Sequence, residues 1–286
     1  MTLSRREVVD LLAQHGLRPS RALGQNFVID PNTVRRVARL AGVGPGDRVV
    51  EIGAGLGSLT LALVEQGAEV TAVEVDRGLV PVLRSVVEPV GVRVVEADAL
   101  RIDWDELLGG AGSSRGSGAP WVLVANLPYN VATPLVVTLL EQVSAITRMV
   151  VMVQLEVAER LVAEAGDPAY GAVSVKVGYW ATASIVGRVP PTVFFPKPRV
   201  DSALVAIRRR EQPAVAPNVV DYQRLFEVVR AGFAQRRKML RRALAGVVEP
   251  GAFAAAGVAP EARGEELDVQ AWGRLAAWKP NEHSPS

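Results

Sequence analysis

One stretch decides the fold class of this 286-residue chain: Val49-Val-Glu-Ile-Gly-Ala-Gly-Leu-Gly57. Residues 49–52 have the mostly apolar pattern of a short strand, three glycines follow it, and residues 59–66 show an amphipathic helical pattern. Strand and helix patterns then alternate as far as residue 154, which is typical of a parallel sheet covered by helices on both faces. The sequence therefore predicts an α/β fold.

Further elements and two domains follow from the same kind of pattern. Strands are predicted at 69–75, 92–96, 121–125, 148–154 and 202–207, and helices at 79–87, 133–142, 221–234, 237–245 and 269–278. Because residues 212–218 have the composition of a linker, we predict an α/β domain over 1–211, with an N-terminal extension over 1–30, and a small helical domain over 212–286. The glycine- and serine-rich stretch 109–118 is predicted to be a mobile surface loop.

Composition excludes several kinds of chemistry. The chain has no cysteine, which rules out disulfides, thiolate metal sites and cysteine nucleophiles. Its two histidines, His15 and His283, do not support a histidine-centred metal site or a Ser/His/Asp relay. We therefore expect no metal.

Charge and hydropathy indicate the kind of partner. Residues 183–286 carry 16 Lys and Arg against 10 Asp and Glu, a net charge of +6, whereas residues 1–182 have a net charge of −4. This asymmetry favours a polyanion as partner of the C-terminal third, with solvated helix faces as the alternative. Because no apolar run reaches the ~18 residues of a membrane span, and residues 1–10 are charged, we expect a cytoplasmic protein with no membrane partner.

The glycine turn predicts a nucleotide cofactor. A dinucleotide site spaces its glycines G-x-G-x-x-G, but here Gly53, Gly55 and Gly57 alternate, which favours S-adenosylmethionine over NAD. Glu74 ends the next strand 21 positions after Gly53, where a carboxylate accepts hydrogen bonds from ribose hydroxyls in both kinds of site. Asp98, after the third strand, is predicted to accept from the cofactor's adenine amine. A purely steric turn and a capping role for Asp98 are the alternatives.

Asn126-Leu-Pro-Tyr129, at the end of the fourth strand, is the most specific motif, and it resembles the amine-binding motif of amino-methyltransferases. An aromatic amine is a poor nucleophile until acceptors bind its two N–H groups. The Asn126 side-chain oxygen and a backbone carbonyl of Leu127 or Pro128 are predicted to do so. Pro128 stiffens the turn and Tyr129 stacks on the base. An ordinary turn with a core tyrosine is the alternative.

A base bound at this corner must be unstacked from its neighbours. Phe194, between prolines, is predicted to form the second wall around it, with core packing as the alternative.

Several motifs in order give the chain its resemblance to a known family. They are Leu23-Gly-Gln-Asn-Phe-Val28, Glu51-Ile-Gly-Ala-Gly55, Asn126-Leu-Pro-Tyr-Asn130, the stretch from Pro190 through Ser202, and Phe233-Ala-Gln-Arg-Arg-Lys-Met-Leu240. The chain thereby resembles the KsgA (RsmA) family of ribosomal RNA adenine dimethyltransferases. The resemblance implies a Rossmann-like class I methyltransferase fold in which the cofactor-binding residues are Asn26, Val28, Gly53, Gly55, Glu74, Asp98 and Asn126. Tyr129 and Phe194 would sandwich the target adenine.

The basic stretch near the C-terminus is predicted to bind RNA. Five cations lie within seven positions of a predicted helix: Arg236, Arg237, Lys238, Arg241 and Arg242. Phosphates are their natural partner, and a solvated charged face is the alternative. The resemblance implies that this region faces rRNA.

The resemblance implies a specific reaction. It is S-adenosylmethionine-dependent dimethylation of the N6 amines of two adjacent adenosines in a 3′-terminal hairpin of 16S rRNA, in the small ribosomal subunit, by a monomer. Two alternatives stay open: an Erm-type enzyme that dimethylates a 23S rRNA adenine, and a noncatalytic ribosome-assembly factor that binds RNA.

Overall fold

The computed structural model describes residues 2–20, 22–109 and 120–278, so the predicted loop at 109–118 lies outside the described residues apart from Gly109. The chain divides into two compact units. The first comprises Met1–Ala158 and Ala183–Arg209, and the second comprises Glu159–Thr182 and Arg210–Ser286. The C-terminal segment of the second unit thus begins two residues before the predicted start at 212. It also includes a segment that the sequence prediction placed in the first domain.

The described residues form nine strands in two sheets. The strands are β1 (Phe27–Val28), β2 (Arg48–Ile52), β3 (Glu69–Glu74), β4 (Arg93–Glu96), β5 (Trp121–Asn126), β6 (Ile146–Gln154), β7 (Ala181–Val189), β8 (Phe194–Phe195) and β9 (Ser202–Arg209). β1 and β8 pair in a small antiparallel sheet. The main sheet has the order β4-β3-β2-β5-β6-β9-β7.

Twelve α-helices are present in the described part of the chain. They are α1 (Arg5–Gln14), α2 (Pro31–Ala41), α3 (Ser58–Glu65), α4 (Val80–Val87), α5 (Trp104–Leu107), α6 (Ala132–Gln142), α7 (Leu155–Val162), α8 (Ala172–Trp180), α9 (Tyr222–Ala234), α10 (Leu240–Ala243), α11 (Pro250–Ala256) and α12 (Val269–Ala277). Short 3-10 helices occur at Glu88–Val90, Pro191–Val193 and Gly264–Glu266. None of the described helices is long and apolar enough to cross a membrane.

The main sheet explains where a ligand can bind. β4, β3, β2, β5 and β6 run parallel, and β9 joins β6 antiparallel. The chain moves outward from β2 to β4 and then returns to β5 on the other side of β2, so the strand order reverses between β2 and β5. In open α/β sheets, ligands bind at the carboxyl ends of the strands beside such a switch point. The predicted α/β fold is confirmed.

Two N-terminal helices have clear local causes, although the sequence analysis did not predict them. α1 begins with a capping box, in which Ser4 and Glu7 satisfy each other's backbone N–H groups. α2 begins after Asp30, whose carboxylate accepts from two backbone N–H groups of its first turn, and ends at Gly42 with a φ of 60°.

The second unit has an apolar core of its own, which includes the fully buried side chains of Phe226 and Trp272. The predicted helix at 237–245 is wrong over most of its length, since only Leu240–Ala243 is helical. The Leu240 N–H donates to the Ala262 carbonyl at 2.7 Å, and the Arg241 N–H donates to the Pro260 carbonyl at 3.0 Å. These bonds replace those of a preceding helical turn and let Leu240 be buried.

Candidate active site

A cavity of about 230 Å³ lies at the carboxyl ends of β2, β3 and β5, where segment 23–28 also lines it. A single water needs only ~10–15 Å³ of such space, so the cavity has room for an organic ligand. All of its lining residues belong to the first unit. All seven predicted cofactor residues line it, although they come from separate stretches of the chain: Asn26, Val28, Gly53, Gly55, Glu74, Asp98 and Asn126.

The three glycines of the turn have two different roles. Gly53 and Gly55 line the cavity with φ angles of 72° and 59°, a backbone conformation that side chains disfavour. Gly57, with a φ of 88°, is absent from the lining, and a Cβ there would lie 2.6 Å from Val87 Cγ1 of α4. The third glycine therefore serves close packing between helices, which is the steric alternative that the sequence left open, whereas Gly53 and Gly55 line the cavity.

Glu74 is a buried carboxylate held in place by backbone donors. Its Oε2 accepts from the Gly55 N–H at 2.8 Å, and its Oε1 accepts from the N–H groups of Val75 and Asp76 at 3.0 Å each. Burial nevertheless raises the pKa of Glu74, and these three bonds only oppose that shift. The glycine turn and the acidic strand end are thus one hydrogen-bonded unit.

Glu51 is a cavity residue that the sequence analysis quoted but gave no role. It is 2% exposed, lines the cavity, and its Oε2 accepts from Thr60 Oγ1 at 2.5 Å. Burial raises the pKa of Glu51 to about 8, and the nearby charge of Glu74 adds to the rise. Glu51 is therefore mainly protonated at neutral pH. The only signal in the sequence was a charged residue inside an otherwise apolar strand.

Asp98 makes the turn contact that the sequence allowed, and its contact with a cofactor stays a prediction. Its Oδ1 accepts from the Leu100 N–H at 3.0 Å, which makes it a turn residue, and it also lines the cavity. Two apolar side chains beside the same cavity, Val75 and Leu100, are 45% and 41% exposed. A flat ring placed between them would remove that surface from water. Glycine backbone, carboxylate acceptors and exposed apolar flanks together fit an adenosyl cofactor.

The Asn126 amide is oriented by a contact that spans 100 residues of chain. Its Nδ2 donates to the Asn26 backbone carbonyl at 2.9 Å. Only the amide nitrogen can donate to a carbonyl, so this bond fixes which end of the amide carries the oxygen. Within the described residues, Asn126 Oδ1 accepts no hydrogen bond, and it remains available to a ligand.

The backbone of the corner distinguishes the two predicted carbonyl acceptors. The Pro128 carbonyl already accepts from the N–H groups of Val131 and Ala132, at 3.2 and 3.1 Å. The Leu127 carbonyl accepts no hydrogen bond from the residues that the structure describes. Leu127 is anchored instead through its N–H, which donates to the Met152 carbonyl at 3.0 Å. Of the two carbonyls, that of Leu127 is the one left for a substrate.

The two predicted aromatic walls differ in position. Tyr129 lines the cavity, and its hydroxyl lies 2.9 Å from Ser202 Oγ. Phe194 is 3% exposed and belongs to the apolar core, in the short strand β8 where it pairs with Val28 of β1. The structure does not bring Phe194 to the cavity wall, so its stacking role stays a prediction.

The five predicted RNA-binding cations lie in the second unit, in a stretch we call the basic segment (residues 236–242). Arg236 pairs with Glu265 at 2.9 Å, and Arg241 pairs with Glu261 at 2.8 Å. The side chains of the other three are exposed and form no ion pair or hydrogen bond with any described residue: Arg237, Lys238 and Arg242. No cluster of acidic or histidine side chains able to hold a metal occurs among the described residues.

Fold and cavity together define a Rossmann-like methyltransferase that depends on S-adenosylmethionine. The family model for ribosomal RNA adenine dimethylase matches residues 17–280. The chain belongs to the ribosomal RNA adenine dimethylase family, which confirms the resemblance found in its motifs and favours an enzyme over a noncatalytic assembly factor.

Individual relatives agree with this assignment. Two proteins named ribosomal RNA small subunit methyltransferase A are similar along most of their length. The one from Thermobifida fusca (strain YX) is 47% identical over 285 residues, covering 96% of this chain and 95% of the relative. The one from Cutibacterium acnes is 49% identical over 270 residues, covering 90% and 87%.

Solved structures share the fold. The 23S rRNA methyltransferase ErmE superposes with a TM-score of 0.66 at 26% identity, covering 87% of this chain and 98% of that one. A dimethyladenosine transferase from Plasmodium falciparum also has a TM-score of 0.66, at 22% identity, covering 86% and 94%. The lower identity to ErmE than to the small-subunit enzymes favours the latter over an Erm-type enzyme.

Proposed function

We propose that this protein dimethylates the N6 amines of two adjacent adenosines in a 3′-terminal hairpin of 16S rRNA, within the small ribosomal subunit. The names of relatives that are 45–49% identical support the small subunit as its substrate. The observation that carries the proposal is the corner at Asn126, where an amide oxygen with no partner among the described residues lines the cofactor cavity. In this proposal the enzyme acts as a monomer in the cytoplasm.

The corner activates the amine by accepting hydrogen bonds from its N–H groups. In a free adenine the nitrogen lone pair is delocalised into the ring. Asn126 Oδ1 and the Leu127 carbonyl would each accept one N–H, which favours a tetrahedral nitrogen and directs its lone pair toward the cavity. Because Asn126 is held by Asn26 and Leu127 by Met152, both acceptors are fixed before substrate binds, and fixed acceptors need no reorganisation during the reaction.

The residues around the cavity would hold the cofactor. Glu74 would accept from its ribose hydroxyls and Asp98 from its adenine amine, while the backbone of Gly53 and Gly55 allows close approach. Asn26 and Val28 close the cavity from the N-terminal side. When bound, S-adenosylmethionine supplies an electrophilic methyl group on a sulfonium. The protein's contribution is proximity and alignment.

The basic segment would supply RNA affinity. Arg237, Lys238 and Arg242 have no acidic partner among the described residues, so phosphate oxygens can bind them without displacing one. Arg236 and Arg241 would first have to leave Glu265 and Glu261. We propose that the three unpaired cations form the stronger phosphate contacts of the predicted five.

The test is a comparison of two RNA substrates. The protein is incubated with S-adenosylmethionine labelled in its methyl group and with either undermethylated small subunits or naked 23S rRNA. We expect label in the small subunits only, recovered as N6,N6-dimethyladenosine from two neighbouring positions near the 3′ end of 16S rRNA. Small subunits already methylated at those positions serve as the control and should take up no label. Label in 23S rRNA alone would overturn the proposal.

A further inference from the structure

One contact at the corner is unexplained by amine binding. The Tyr129 hydroxyl lies 2.9 Å from Ser202 Oγ, across 73 residues of chain. Tyr129 is half-buried on the cavity wall, whereas Ser202 is fully buried, with no exposed surface. Burial raises the pKa of the Tyr129 phenol, so the phenol keeps its proton at neutral pH and can donate it to Ser202.

Ser202 is held rigidly by the main sheet. It is the first residue of β9 and pairs with Gln154 at the end of β6. The preceding residue is fixed as well, since the Asp201 carbonyl accepts from the Leu155 N–H at 3.0 Å. The backbone of Ser202 is therefore fixed by the sheet, and its short side chain cannot follow the Tyr129 hydroxyl if the tyrosine side chain swings away.

Tyr129 has few other restraints. It follows the corner that leaves β5, and no aromatic ring pair among the described residues includes it. Its ring faces a cavity on one side, where close packing cannot fix its orientation. A hydrogen bond at the far end of the ring fixes the position of a tyrosine ring, because a swing about the Cα–Cβ bond would carry the hydroxyl away from Ser202 and break the bond.

We propose that Ser202 is a positioning residue, whose hydroxyl holds the Tyr129 ring in the position that receives the target adenine. The inference rests on the proposed function, because it requires Tyr129 to stack on a base. Ser202 itself does not touch the substrate. It acts only through Tyr129, and this distinguishes it from Asn126 and Leu127.

The expected effect is modest and has a specific kinetic form. A net hydrogen bond contributes about 1 kcal/mol, which corresponds to about fivefold in rate. We expect the loss in kcat, because the ring orients the base for reaction. The KM for small subunits should stay unchanged, since phosphate contacts dominate RNA affinity. A loss of folded protein is excluded by normalising kcat to the stoichiometry of adenosylhomocysteine binding.

The experiment is a double-mutant cycle on small-subunit methylation. Ser202→Ala and Tyr129→Phe each remove one end of the bond, so each should lower kcat about fivefold, and the double variant should lower it by the same factor. Tyr129→Phe keeps the ring and leaves Ser202 in place, so the cycle retains one informative arm if Ser202→Ala folds poorly. Ser85→Ala is the control for removing a hydrogen-bonded serine hydroxyl, because Ser85 is an exposed residue outside the cavity lining whose hydroxyl donates to the Val82 carbonyl at 2.7 Å.

The outcomes separate the inference from the function on which it rests. The positioning role would be overturned if Ser202→Ala kept full kcat. It would also be overturned if the double variant lost about 25-fold in kcat, the product of the two single losses, or if KM rose while kcat stayed normal. A wild-type protein that transfers no methyl group to small subunits would instead contradict the proposed function. Equal, non-multiplicative losses in kcat support the inference.

Discussion

The cofactor cavity of the first unit and the basic segment of the second hold their polar groups in opposite ways. In the cavity, Glu74 accepts from three backbone N–H groups, and Asn126 is fixed by the Asn26 carbonyl. In the basic segment, three of the five cations are exposed and have no partner among the described residues. Fixed groups can stabilise one geometry, whereas solvated cations can meet many. A single substitution in the cavity should therefore lower kcat strongly. Each substitution in the basic segment should lower RNA affinity by a small step.

The largest effect is expected at Asn126. Asn126→Ala removes the amide oxygen proposed to accept the amine, and loss of one fixed polar contact to a transition state costs about 100- to 1000-fold in kcat. Binding of small subunits, measured by filter retention, should change little because Asn126 makes no phosphate contact in the proposal. Asn32→Ala, an exposed asparagine in the first turn of α2, is the control. Unchanged turnover in Asn126→Ala would contradict the proposed mechanism.

A smaller, salt-dependent effect is expected in the basic segment. A triple variant with Arg237→Gln, Lys238→Gln and Arg242→Gln should bind small subunits about tenfold more weakly. The slope of log K against log salt should become less steep by about two to three, because the three lost phosphate contacts no longer release counterions. Binding measured between low and physiological salt gives both values, and kcat at saturating substrate should hold.

The paired cations sharpen this test. Arg236→Gln with Arg241→Gln removes two charges that already face Glu265 and Glu261, so the salt slope should change less per charge than in the triple variant. An equal change in salt slope per charge would mean that these ion pairs open when RNA binds. All five cations would then contact phosphates equally, whether or not they are paired in the free protein.

Local sequence patterns predict the structure of segments whose conformation depends mainly on neighbouring residues. The strand and glycine turn at 49–57, the acidic end of β3 and the corner at Asn126 were predicted within one or two residues, because each is a short segment with a characteristic pattern. The helices α1 and α2 had equally local signals, in Ser4 with Glu7 and in Asp30 before Pro31. Their omission was a failure to use capping patterns outside the α/β repeat.

Contacts between distant residues could not be predicted in this way. Ser202 was part of a recognised motif, but its contact with Tyr129 depends on how β9 is placed beside β6. The helical period continued through 237–245, but backbone bonds to residues 260–262 interrupt it. Gly57 matched the same pattern as Gly53, and only the packing of α4 separates their roles.

The smallest effect is a pH dependence of stability caused by Glu51. Its pKa is raised from 4.5 to about 8 in the folded protein, so between these values the folded state holds a proton that the unfolded state has released. The contribution of Glu51 to stability is then fully present below about pH 4.5 and is lost as the pH rises toward 8. The slope is at most about 1.4 kcal/mol per pH unit for one proton. Glu74, whose pKa is also raised by burial, acts in the same direction.

Glu51→Gln tests this directly, because its amide resembles the protonated carboxyl and can still accept from Thr60. Urea unfolding midpoints measured from pH 5.5 to pH 8 should fall with rising pH in the wild type. They should fall less in Glu51→Gln, where only the pH dependence caused by Glu74 remains. Glu69→Gln, at the exposed start of β3, is the matched control for removing a carboxyl. Equal slopes in wild type and Glu51→Gln would mean that Glu51 is ionised in the folded protein over this pH range, and that burial does not raise its pKa as proposed.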